Sequence, residues 1–199
     1  MPMPKVYIIP DSAPNAFATA RNPEHAVVAA TSGLLSIMSD PELEAVMAHE
    51  MSHVKNYDIR VSMIAFGLVS VIGILSDLAF RVFLFRDNDR DANPILMLIG
   101  FALAMLAPFL AMLIQLAVSR QREYLADASA VEATRDPEGM AMALEKLLSH
   151  SRPMRRQSTS TAHLFFSNPL KKGGFSRLFS THPPLEDRIK IIREKLTSL

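Results

Sequence analysis

Cysteine and tryptophan are both missing from the 199 residues of the chain. Without thiols, disulfides, thiolate nucleophiles and sulfur-ligated metal sites are excluded together. The redox compartment stays open, because a cysteine-free chain is at home in either. Charge of one sign is missing too. The 21 Lys and Arg nearly balance 20 Asp and Glu, so no overall basic field recruits nucleic acid. The opening Met1-Pro2-Met3-Pro4-Lys5 has no long apolar run, which excludes a cleavable signal peptide at that point. The expectation is a chain that is not exported by that route, or one that starts downstream of its natural beginning.

What is present is largely apolar. Hydrophobic residues make up 49 % of the chain and the mean hydropathy is positive, which is high for an ordinary soluble domain. The 12 Met residues make the apolar part adaptable. The length suits one domain, or one domain with a membrane element.

Residues 5–37 read as short strands and turns. Val6-Tyr7-Ile8-Ile9 is a β-branched and aromatic run closed by Pro10, and Asp11 to Asn15 is turn chemistry. Ala16 to Ala20 and His25 to Thr31 supply two further strands. A sheet this small needs a helix against it. That helix is announced by Ser39-Asp40-Pro41-Glu42, an N-cap followed by proline and acid in the first turn, and runs through His53.

Two long apolar segments follow. Val61 to Phe85 carries only Asp77 and Arg81 as charges, at a spacing that pairs them on one helix face. Pro94 to Val118 has no ionisable residue. At 1.5 Å per residue each helix would reach about 37 Å, against a hydrocarbon core of about 30 Å. A membrane-spanning hairpin is expected, with a hairpin buried in a soluble helical domain as the alternative. Lys55, Arg60, Arg120 and Arg122 flank it, and the positive-inside rule puts both flanks in the cytoplasm. Two helices are expected beyond, Ser119 to Ala133 and Pro137 to His150, with a break near Arg135-Asp136-Pro137. Residues 151–182, rich in Ser, Thr, Pro, Gly and basic groups, suggest a long ordered loop or lid touching lipid headgroups; a disordered linker suits 152–160 equally. A last amphipathic helix starts near Pro184, with Leu185, Ile189, Ile192 and Leu196 on one stripe.

His49-Glu50-Met51-Ser52-His53 carries the chemistry. Imidazoles four residues apart on a helix share a face and can hold one zinc ion. Glu50, one position round, can act on a metal-bound water without ligating the metal. The alternative, a polar helix face that happens to match, sits badly with the flanking Ala45-Val46-Met47-Ala48, which would bury these residues. Catalytic zinc usually takes three protein ligands. Glu123, just after the hairpin, returns to the side the chain left and offers a third; on spacing alone it serves equally as a surface carboxylate. Asp127 shares its helix face and can receive a hydrogen bond from a ligand histidine.

Four separated motifs together resemble the HtpX family of membrane metallopeptidases, relatives of the CAAX prenyl proteases. They are Pro14 to Thr19, His49 to His53, Glu123-Tyr124-Leu125-Ala126-Asp127, and Ser180-Thr181-His182-Pro183-Pro184 through Ile189. The resemblance makes Glu123 the third zinc ligand. It gives Asn15, Ala16, Phe17 and Ala18 to an edge strand that pairs with extended substrate. It brings His182 to the cleft as an oxyanion stabiliser, with a loop histidine as the equal alternative, and Arg188 to the Glu123–Asp127 helix, with a solvent-facing arginine as the alternative. Two departures stand out: Ala20 replaces a usual glycine, and the two transmembrane helices that usually open such enzymes do not precede Lys5.

The expected fold is therefore α+β: a mainly helical, zincin-like metallopeptidase with a small N-terminal β-sheet. It forms a single domain over 1–199, interrupted by a transmembrane hairpin at 61–118. The expected activity is zinc-dependent endopeptidase cleavage of misfolded or damaged membrane proteins, with one Zn2+ per chain. Polypeptide substrates and the lipid bilayer are the expected partners, and nucleic acid is not. The expected location is the bacterial inner membrane, with the active site on the cytoplasmic side. A non-catalytic zinc-containing scaffold or chaperone and a soluble zinc peptidase with a buried hairpin are the two rivals.

Overall fold

A computed structural model of the chain describes residues 1–84, 94–150 and 181–196. The loop or lid expected at 151–182, and the linker alternative at 152–160, fall on residues 151–180, which lie outside the described residues. The chain divides into two compact units, one made of 1–60 with 119–199 and the other of 61–118.

The first unit opens with three strands, β1 (Lys5–Ile9), β2 (Ala16–Ala20) and β3 (Ala26–Thr31), in the order β1-β3-β2. β1 runs parallel to β3 with Tyr7 opposite Ala29, and β2 runs antiparallel with Ala18 opposite Val28. β2 is therefore an edge strand. The turn before it is fastened by Asn15, whose backbone N–H donates to Thr31 Oγ1 while its own side chain accepts from Ala16 N–H. The two-residue alternation of a strand turns Ala16 and Ala18 inward, and both are buried.

Helix α1 (Ser32–Ile37) follows β3 directly and is a departure from the expected strands and turns. Thr31 caps it by accepting Leu34 N–H at 3.1 Å. Gly33 is required there, because a Cβ would stand 2.3 Å from the carbonyl oxygen of Ser12. Helix α2 (Asp40–Lys55) starts where the cap residues predict. Ser39 N–H donates to Glu42 at 2.7 Å, and the Lys146 ammonium donates to the same Glu42 oxygen at 2.6 Å.

α2 packs against β2 and β3 on one side and against α5 (Pro137–Ser149) on another. Ala45 and Val46 of α2 meet Leu34, Met140, Leu144 and Leu147 in the main core. Each fully buried aliphatic side chain contributes about 1.5–3 kcal/mol. Asp136 caps α5 by accepting Gly139 N–H at 2.8 Å, beside Arg135 at φ 54, so the break falls at the expected residues. The C-terminal helix α6 (Leu185–Ile191) continues into a wider π turn, Ile192–Leu196. Its Ile189 and Ile192 enter the same core, as the apolar stripe predicts.

Helix α3 (Asp58–Leu84) and helix α4 (Pro94–Thr134) carry the apolar segments. Mean hydropathy reaches 2.1 in the span Asp58–Phe83 and 2.5 in the span Met97–Thr134, and Ile64, Phe66, Ile74, Leu98 and Leu103 are all exposed. Arg81 donates to Asp77 at 2.8 Å, the expected one-turn pair. The helix expected from Ser119 is not separate. α4 runs unbroken from Pro94 through the apolar stretch to Thr134, because nothing after Val118 stops a helix.

Candidate metal centre

Three elements supply the site. α2 presents His49 and His53 on successive turns, the returning part of α4 presents Glu123, and the segment before α6 brings His182. His49 Nε2 and His53 Nε2 lie 3.1 Å apart. Glu123 Oε2 stands 3.7 Å from His49 Nε2, and Oε1 stands 3.6 Å from His53 Nε2. For a tetrahedral ion with bonds of about 2.0–2.1 Å, neighbouring ligand atoms stand about 3.3 Å apart, so the spacing suits one.

The far side of each ring explains why those nitrogens face each other. His49 Nδ1 is 2.9 Å from Asp127 Oδ1, and His53 Nδ1 is 2.7 Å from Asp58 Oδ2. A carboxylate on Nδ1 keeps the proton there and leaves the Nε2 lone pair outward. Two such lone pairs directed at each other, with a carboxylate beside them, form a donor set for a cation. Burial, reinforced by the nearby Arg188 charge, pushes the His49 imidazole down to about 4 despite the Asp127 hydrogen bond. His49 is thus neutral at physiological pH, as a ligand must be.

Asp127 is itself clamped. Arg188 donates through Nε to Oδ2 at 2.8 Å and through Nη2 to Oδ1 at 2.6 Å. Arg188 is fully buried, with Nη1 3.5 Å from Glu123 Oε2. Burial alone would raise the Asp127 pKa, but the guanidinium and the His49 contact overcome it and hold Asp127 low. Glu123 is held low in the same way: burial opposes, while His182, Arg188 and His49 favour the charged form. His182 Nδ1 lies 3.0 Å from Glu123 Oε2 and is kept against α4 by Ser119, whose hydroxyl donates to Thr181 O at 3.0 Å.

Glu50 sits beside the ligands and is 2 % exposed. Its Oε2 accepts the backbone N–H of Ala18 at 2.8 Å. Burial, with the Glu123 charge adding to it, pushes its pKa up to about 7. The same hydrogen bond shows which way β2 faces. Ala16 and Ala18 turn their backbone groups to the open edge, and the Ala18 N–H is used by Glu50. Of the four residues expected on the edge, Asn15, Ala16 and Ala18 are buried and Phe17 is half-buried.

Sequence reasoning missed Asp58 and Arg122. Arg122 forms an ion pair with Asp58 and donates to Asn56 O at 2.9 Å. The one signal was an Asp beside the second ligand histidine, five residues on, where helical periodicity does not bring it near.

Two imidazoles turned nose to nose beside a carboxylate, with a buried glutamate alongside, are the equipment of a metallopeptidase. Comparison with known proteins agrees. A profile of peptidase family M48 matches residues 1–196, and the chain belongs to that family. A "Protease HtpX homolog" of Tropheryma whipplei (strain Twist) is 58 % identical over 98 % of this chain and 67 % of its own length. One of Dictyoglomus thermophilum is 51 % identical over 97 % of this chain and 64 % of its own. The chain thus spans about two thirds of the relatives it matches. The crystal structure of S. mikatae Ste24p shares the fold at a TM-score of 0.55 and 21 % identity, covering 94 % of this chain and 46 % of that one.

Proposed function

We propose that the chain is a membrane-anchored, zinc-dependent endopeptidase in which His49, His53 and Glu123 hold the metal and Glu50 is the general base. The observation that carries this is the convergence of three ligand atoms within 4.8 Å of one another, with Glu50 next to them. A divalent cation there supplies Lewis-acid activation of water and of the scissile carbonyl. Glu50 takes the proton of the attacking water and returns it to the leaving amine. Burial raises its pKa, and a bound cation beside it would lower it again, toward the ionised form that accepts a proton.

The Ala18 N–H holds the Glu50 carboxylate in place, and the outward carbonyls of Ala16 and Ala18 pair with an extended substrate backbone. Recognition through the backbone suits unfolded chains of varied sequence. His182, beside Glu123, stabilises the oxyanion that develops on the carbonyl. Asp127 and Arg188 orient His49.

The exposed apolar surface of 61–118 serves as the anchor in a bacterial inner membrane. The basic residues at both of its ends support a site on the cytoplasmic side. Misfolded or damaged membrane proteins are the proposed substrates, within protein quality control, in keeping with relatives named HtpX. The metal assignment is tested by metal content: Glu123→Ala should fall well below one zinc per chain, and undiminished occupancy contradicts the ligand set.

A further inference from the structure

The proposed mechanism gives Asp127 and Arg188 a task but leaves a second pair without one, a buried carboxylate held by a half-buried guanidinium. Asp58, the first residue of α3, is 6 % exposed. Its Oδ2 lies 2.7 Å from His53 Nδ1, and its other oxygen is paired with Arg122. Arg122 also donates to Asn56 O at 2.9 Å, and it directly precedes Glu123 on α4.

The corner between α2 and α3 makes this contact. α2 closes on Asn56, whose N–H donates to Ser52 O, and Tyr57 follows at φ 55. That left-handed residue turns the backbone between the two helices, and the carboxylate of Asp58 reaches a ring five residues earlier. A residue other than Gly at positive φ is costly and persists where its surroundings impose it. Burying a carboxylate is also costly unless it is paired. The exposed Asp77–Arg81 pair on the same helix meets neither cost, with side chains 59 % and 65 % exposed.

The two ligand histidines therefore carry matching supports built from different elements. His49 leans on Asp127, which Arg188 clamps; His53 leans on Asp58, which Arg122 holds. We propose that Asp58, held by Arg122, is the positioning residue of His53. It keeps the proton on Nδ1 and fixes the ring so that Nε2 meets the metal beside His49 and Glu123. The inference rests on the ligand set proposed above. Residues just outside the two ends of the 61–118 segment thus hold one another.

The test is zinc affinity of the full chain in mild detergent, by competition with a chelator of known affinity. Asp58→Ala should weaken binding about 10–100-fold, and Arg122→Ala should weaken it in the same direction by less. Asp58→Asn, which keeps the volume, should retain the fold and show an intermediate loss. Its cobalt(II)-substituted form should show altered visible absorption bands. Asp77→Asn should match the wild type in every reading. Wild-type affinity and wild-type cobalt bands in Asp58→Asn and Asp58→Ala would overturn the proposal, even if both variants melt earlier. His53→Ala separates the two levels of the account: undiminished zinc binding there removes the ligand set itself.

Discussion

The backbone N–H of Ala18 donates to Glu50 Oε2 at 2.8 Å, so the edge strand and the proposed general base are held by one hydrogen bond. Proline at this position removes the donor, and its ring occupies the space the carboxylate needs. An outward-facing position on an edge strand is where a sheet tolerates proline. Ala18→Pro is expected to keep its metal while losing cleavage about tenfold to hundredfold, the worth of a hydrogen bond to a charged group. Metal content and peptide cleavage on the same preparation check this. Undiminished cleavage removes the role given to the strand.

Arg188 and Asp127 form a buried, doubly hydrogen-bonded pair, and each is the other's main charge partner. Removing either alone leaves the other's buried charge short of that partner, at a cost of about 3–5 kcal/mol. The double variant Arg188→Met with Asp127→Ala should be less destabilised than the sum of the two single variants. Denaturant unfolding of all four proteins gives the coupling energy, and simple additivity contradicts the pairing.

Glu42 sets a pH dependence. Burial works to raise its pKa, but Lys146 and the Ser39 N–H prevail and hold it below the ordinary 4.5. A lowered folded-state pKa contributes stability that is present above the unfolded value and is lost as pH falls through the folded one. Glu42→Gln should therefore be less stable than the wild type at pH 7, by about 1–3 kcal/mol. The gap should close as the pH drops below about 4. Urea midpoints across that range decide it; a gap independent of pH contradicts it.

The exposed apolar side chains of 61–118 predict retention in the pellet when membranes are washed with alkaline carbonate. Release into the supernatant would favour a peripheral protein whose apolar helices are covered by a partner.

Much of the fold was legible in the sequence because local chemistry and tertiary packing agree. The β-branched run before Pro10, the turn at Asp11 to Asn15 and the cap at Ser39 each specify an element by themselves, and each element is found there. α1 was hidden because six residues are too few for a helical period, and its cap comes from Thr31, the last residue of a strand. The unbroken α4 was hidden for another reason. Hydropathy changes after Val118 while helix propensity does not, so a change of solvent resembled a change of element.

The candidate site divides along the same line. His49, Glu50 and His53 announce themselves because one helix sets their spacing. Glu123 needed a family resemblance, since only the fold returns α4 to α2. Asp58 lay beyond both, because its contact depends on the conformation of a single corner residue, Tyr57.

The most direct test compares zinc content and casein cleavage of the wild type with Glu50→Gln in mild detergent. The account predicts about one zinc in each protein and cleavage by the wild type alone. Cleavage by Glu50→Gln at the wild-type rate would contradict it.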